Sequence, residues 1–159
     1  MRCLNNTASY HIASTQEKDF PGIIDVWERS VRATHHFLPE DYLQEIKTLL
    51  PSILPVVPVY HILSESDTIL GFAGVANSKI EMLFIDPGSR GRGIGAALTD
   101  YAIRELGARF VDVNEQNVQA IGFYKKRGFV TIGREELDSM GRPYPLLQMK
   151  LADKLTNEK

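Results

Sequence analysis

The chain has 159 residues, of which 43% are hydrophobic and 24% charged, with 12 glycines and 8 prolines. Those fractions exclude collagen, coiled coil and a disordered chain, and the length predicts one domain over 1–159, structured from about residue 7 to 152. Lysine and arginine number 18 against 20 acidic residues, a net charge of −2, so no global basic face advertises a nucleic-acid partner.

The only cysteine, Cys3, can form neither an internal disulfide nor a multi-cysteine metal site, so the expected compartment is the cytoplasm and no metal is expected. Residues Met1 to Ser14 carry Asn5, Asn6, Thr7 and Ser9 where an export signal needs an apolar run. The uncharged stretch Thr48–Ser64 holds Pro51, Pro55 and Pro58, so it is not read as a membrane span.

In chain order, Thr7–Ser14 reads as a strand with Tyr10 and Ile12 on one face. Asp19 is a candidate helix cap with Pro21 in the first turn; Ile23, Val26, Trp27, Ser30 and Val31 then recur at helical spacing to about Ala33. Thr34–Leu38 breaks that pattern. Pro39–Leu50 predicts a second helix, with Tyr42, Leu43, Ile46, Leu49 and Leu50 on one face and Pro51 ending it.

Val56–Leu63, Ile69–Ala76 and Lys79–Ile85 read as strands whose tight connections make them antiparallel. Gly93–Leu106 is a predicted helix and Arg109–Val113 the strand after it, a parallel crossover step. Asn117–Arg127 is a last helix; Phe129–Glu135 and Leu146–Leu151 are late strands. The order β-α-α-β-β-β-α-β-α-β-β predicts an α/β fold, a mixed sheet with helices on its faces.

The most informative segment runs from Ile80 to Ala96, where a strand stops, a glycine-rich loop follows and a helix begins. Free N–H groups at a helix start attract anions, glycines let a pyrophosphate approach the backbone, and Arg90 and Arg92 add positive charge. A tight turn with solvated arginines fits the same residues. The segment has no Gly-Lys-Ser or Gly-Lys-Thr for a Walker loop. Gly91-x-Gly93-x-x-Ala96, with Asp112 downstream, formally fits the dinucleotide fingerprint, but the tightly joined strands before it oppose a doubly wound parallel sheet.

A second constellation follows: Asn117-x-x-Ala120-x-x-Phe123-Tyr124, then Gly128-Phe129. Arg90-x-x-Gly93-x-Gly95 resembles the acyl-CoA-binding signature of the GCN5-related N-acetyltransferases, and the second constellation resembles that family's next motif at the right spacing. The segments Trp27–Leu38, Asn114–Asn117 and Gly141–Leu146 are similar to a small bacterial branch of that family.

The resemblance implies the family fold, acetyl-CoA as acyl donor and an acceptor amine that attacks directly. It places Leu83, Phe84 and Ile85 along the pantetheine and thioester, and Arg90, Gly91, Arg92, Gly93, Ile94, Gly95 and Ala96 around the pyrophosphate. Asn117 would bond the cofactor or cap its helix. Lys126, with Lys125 and Arg127, would meet the 3′-phosphate or solvent. Tyr124 is the implied general acid. Glu81, His35 and His36 are candidates for the base, and Trp27, His35, His36 and Tyr144 for contact with the acceptor; Trp27 and Tyr144 also read as core residues. The expected acceptor is a small-molecule amine; protein or aminoacyl-tRNA acetylation and a non-catalytic acyl-CoA-binding module are the alternatives. The expected assembly is a monomer or homodimer.

Overall fold

A strand buried on both faces needs helices above and below it, and Ile69–Ala76 is such a strand. In the computed structural model, which describes residues 10–153, its side chains divide among different cores. Phe72 packs with Ile23, Val26, Trp27, Leu43 and Leu50. Its neighbour Ala73 packs with Ile94 and Leu98. Each large apolar side chain hidden this way contributes about 1.5–3 kcal/mol.

The strands are β1 (His11–Ser14), β2 (Val59–Leu63), β3 (Ile69–Ala76), β4 (Lys79–Ile85), β5 (Phe110–Asn114), β6 (Phe129–Glu135) and β7 (Leu146–Leu151). They form one 7-stranded sheet in the order β1-β2-β3-β4-β5-β7-β6. The helices are α1 (Phe20–Thr34), α2 (Glu40–Ile53), α3 (Ile94–Leu106) and α4 (Val118–Lys126). The predicted element order is the observed one. Thr7–Ser9 and Cys3 lie outside the described residues.

Several boundaries differ for physical reasons. Asp19 precedes α1, but its carboxylate accepts from the Gln16 backbone at 2.9 Å instead of capping the helix. Pro51 does not end α2, which continues to Ile53. A proline in the last turn forfeits one N–H bond, and the Leu54 N–H still reaches the Leu50 carbonyl at 2.9 Å. Hydrogen-bonded turns follow α2, with Val57 N–H bonded to the Ile53 carbonyl at 3.2 Å, so β2 starts at Val59.

The feature that positions the site is the seam between β4 and β5. The pair is parallel and registers only Lys79 with Phe110 and Ile80 with Val111. Beyond Ile80 the strands part. Lys79 and Asp112 form an ion pair beside this seam. Each strand stays paired on its far side, β4 with β3 and β5 with β7, so beyond Ile80 and Val111 the two facing edges are bare.

Candidate active site

β4 carries its own irregularity. Gly74 pairs with Met82 and Val75 with Ile80, so Glu81 has no partner on β3. Such a bulge bends a strand and re-aims its side chains. It falls where β4 leaves β5, and the backbone groups of Leu83, Phe84 and Ile85 on that side have no strand partner. A cavity of about 460 Å³ opens beside them, lined by Leu83, Phe84 and Ile85, the glycine-rich loop, α1 and α4.

The loop after β4 supplies the cavity's other wall. Gly91 and Gly93 adopt φ of 76° and 80°, a left-handed backbone that other residues resist. A Cβ on either would meet nothing within 4 Å. Glycine is therefore required by the turn itself, and the turn's outer face is left clear. α3 starts at Ile94 with no side-chain cap among the described residues, which leaves its first N–H groups without a helical partner. Arg90, Gly91, Gly93, Ile94, Gly95 and Ala96 all line the cavity. Backbone donors, a helix N-terminus, one guanidinium and a bare strand edge fit a diphosphate joined to an extended amide-containing arm.

α4 closes the far side. Asn117 precedes it and its side-chain oxygen accepts from the Ala120 N–H at 3.2 Å, which leaves the side-chain NH₂ for another partner. Tyr124 is 5% exposed, edge-on to Phe123 at 5.2 Å and to Phe129 at 5.4 Å. Burial pushes its phenol pKa up. The phenol therefore stays protonated at neutral pH, a proton donor held ready for a thiolate that forms beside it.

A smaller cavity of about 210 Å³ lies across the gap, lined by Glu81, Met82, Asp112, Val113 and Asn114. His35, Leu83, Phe84, Asn117, Ala120 and Tyr124 line both cavities, so the two spaces meet at these residues. The Asn114 side-chain oxygen is buried and has no partner among the described residues. His35 lies 6.5 Å from Phe84, ring to ring, and burial together with the Arg90 charge lowers its pKa to about 4.

Seven of the residues singled out from the sequence line neither cavity: Trp27, His36, Arg92, Lys125, Lys126, Arg127 and Tyr144. Trp27 is 4% exposed inside the α1–α2 core. His36 and Lys126 are exposed. Arg92 presents its carbonyl to the Tyr10 hydroxyl at 2.9 Å. Tyr144 stacks on Tyr42 at 5.3 Å, and Tyr42 in turn donates to Asp138, so the 141–145 segment docks its loop on α2. Conversely, Ser30, Thr34, Ser89 and Gln119 line the larger cavity and were not singled out. Asp112, the acidic residue of the dinucleotide fingerprint, is ion-paired with Lys79, and the sheet is mixed.

A glycine-rich loop opening a helix, set against a strand edge that its parallel neighbour abandons, is the architecture of an acyl-CoA-dependent transferase. The family model described as an acetyltransferase (GNAT) domain matches residues 58–151, and the chain belongs to that family of N-acetyltransferases, which use acetyl-CoA. Among its relatives is the peptidyl-lysine N-acetyltransferase YjaB of Salmonella typhimurium, 40% identical over 139 residues, which span 87% of this chain and 96% of the relative. YjaB of Escherichia coli is 41% identical over 138 residues, 87% of this chain and 94% of the relative. The solution structure of apo-form YjaB from Escherichia coli superposes with a TM-score of 0.83 at 38% identity, covering 92% of this chain and 99% of that one. The PaiA N-acetyltransferase of Thermoplasma acidophilum, solved in complex with coenzyme A, shares the fold with a TM-score of 0.68 at 20% identity, covering 91% of this chain and 99% of that one.

Proposed function

We propose that this chain acetylates the side-chain amine of lysine in proteins, with acetyl-CoA as donor. The observation that carries the acceptor is the 40% identity, over nearly the whole chain, to a relative named a peptidyl-lysine N-acetyltransferase. The small-molecule amine expected from the sequence gives way to its alternative, protein acetylation. The cytoplasm remains the compartment of this reading.

In this reading the N–H groups of the Arg90–Ala96 segment and the Arg90 guanidinium hold the diphosphate. The bare β4 edge at Leu83–Ile85 pairs with the pantetheine amides and aims an N–H at the thioester oxygen, stabilising the charge that develops there. Asn117 adds a donor at the junction of the two cavities. Tyr124 protonates the departing thiolate. The lysine side chain reaches the thioester through the smaller cavity, past Glu81 and Asn114. Two features support that assignment: the cavity meets the cofactor side at Tyr124, and its polar lining is rich in acceptors for an ammonium's N–H groups.

Purified enzyme incubated with acetyl-CoA and a lysine-containing protein mixture tests the reading by mass spectrometry, beside a thiol-release assay on free amino acids and polyamines. Acetyl-lysine formation well above the chemical background is expected. Turnover confined to the small amines would overturn it.

A further inference from the structure

The hydrogen bonds of Thr34 settle which ring nitrogen of His35 carries its proton. The Thr34 hydroxyl lies 2.9 Å from the Ser30 carbonyl, which can only accept, so Thr34 donates there. The same hydroxyl oxygen lies 2.8 Å from His35 Nδ1. Having given its single proton to Ser30, it can only accept from His35. Nδ1 therefore carries the hydrogen, and Nε2 carries the lone pair. The Ser30 carbonyl is positioned by α1, and the His35 N–H is bonded to the Val31 carbonyl at 2.7 Å, so the last turn of α1 anchors the whole relay.

The ring so fixed lines both cavities, where the thioester and the acceptor amine of the proposed reaction meet. We propose that Thr34 holds His35 in the Nδ1–H tautomer so that His35 Nε2 takes a proton from the acceptor amine during acetyl transfer. This rests on the reading of the chain as a lysine acetyltransferase, and it makes His35 the catalytic residue and Thr34 a positioning residue. The amine nitrogen bonds the thioester carbon and turns positive; one N–H proton passes to Nε2, the carbon–sulfur bond breaks, and Tyr124 protonates the sulfur. The imidazolium and the phenolate then reset through solvent, so one amide and one thiol form and no further reagent is consumed. Burial and the Arg90 charge keep the ring neutral beforehand.

The test is a long-range ¹H–¹⁵N correlation spectrum of histidine-labelled full-length protein, beside steady-state kinetics. The wild type is expected to show His35 with hydrogen on Nδ1. Thr34→Val is expected to shift it toward hydrogen on Nε2 and to lower kcat, with Thr34→Ser restoring both. His35→Gln is expected to lower kcat about 100-fold while leaving the KM for acetyl-CoA within about threefold. Kinetics run with a lysine peptide and with spermidine. Turnover of spermidine alone overturns the acceptor reading; His35→Gln retaining full kcat on whichever amine reacts overturns this one. Hydrogen on Nε2 in the wild type overturns it as well.

Discussion

At the scale of single residues, the site depends on groups whose surroundings set their protonation. Tyr124 is buried and its phenol pKa is raised, so it is a reservoir for one proton, not a charge that binds. Tyr124→Phe keeps the ring packing against Phe123 and Phe129. It is expected to cut kcat about 100-fold and to leave acetyl-CoA affinity nearly unchanged by calorimetry; unchanged kcat removes the acid role. His35 gives a stability signature. Its folded pKa of about 4 lies below the ordinary 6.5 of a histidine, so between those values the unfolded state binds the extra proton. Stability is full above pH 6.5 and falls as the pH drops toward 4, by roughly 3 kcal/mol at most. Urea titrations from pH 7 to 4 are expected to show a shallower loss in His35→Gln than in the wild type, and equal slopes contradict that. His61, buried beside Thr15 and also lowered, contributes to the slope in both proteins. The sequence pointed to His35 and Tyr124 but not to Ser30 and Thr34. On a helix of period 3.6, Ser30 falls in the stripe of Ile23, Val26, Trp27 and Val31, and periodicity does not separate a residue facing a core from one facing a cavity.

At the scale of elements, two glycines constrain the walls of the larger cavity by different means. Gly93 holds a left-handed φ of 80° in open space. Gly93→Ala is expected to cost about 1–2 kcal/mol in chemical denaturation, from backbone strain alone. Gly71 is an ordinary strand residue, but a Cβ there would come within 2.9 Å of Ile85 Cδ1 and 3.0 Å of the Phe84 carbonyl. Gly71→Ala is expected to destabilise by about 1–3 kcal/mol and also to weaken acetyl-CoA binding, because it presses on the strand that carries the bare edge. Unaltered binding would mean that the edge tolerates displacement. The loop glycines were legible in sequence because a strand-to-helix turn demands them. Gly71 was not, because its constraint comes from residues distant in the chain. Pro51 misled for a related reason: a proline signals the end of a helix, but in the last turn it removes only one bond.

At the scale of the whole molecule, the larger cavity takes its walls from α1, β4, the loop before α3, and α4, so a ligand there ties segments across most of the chain. Coenzyme A at 100 times its dissociation constant is expected to add about 2.7 kcal/mol to unfolding stability, with no such gain from NAD. Equal stabilisation by NAD would restore the dinucleotide alternative. Element order and type were legible because each has a local period. The order of strands in the sheet was not, since no local pattern states that β7 lies between β5 and β6.

That placement has a consequence for synthesis. A ribosome extrudes β5 and β6 before β7, and neither has β7 beside it until Leu151 has emerged. During that interval β5 presents the edge that β7 will cover, a template for pairing with another nascent chain. Arrested chains that stop before Leu146 are expected to be recovered in aggregates or bound to chaperones, whereas arrest beyond Leu151, once clear of the exit tunnel, yields chains that resist protease.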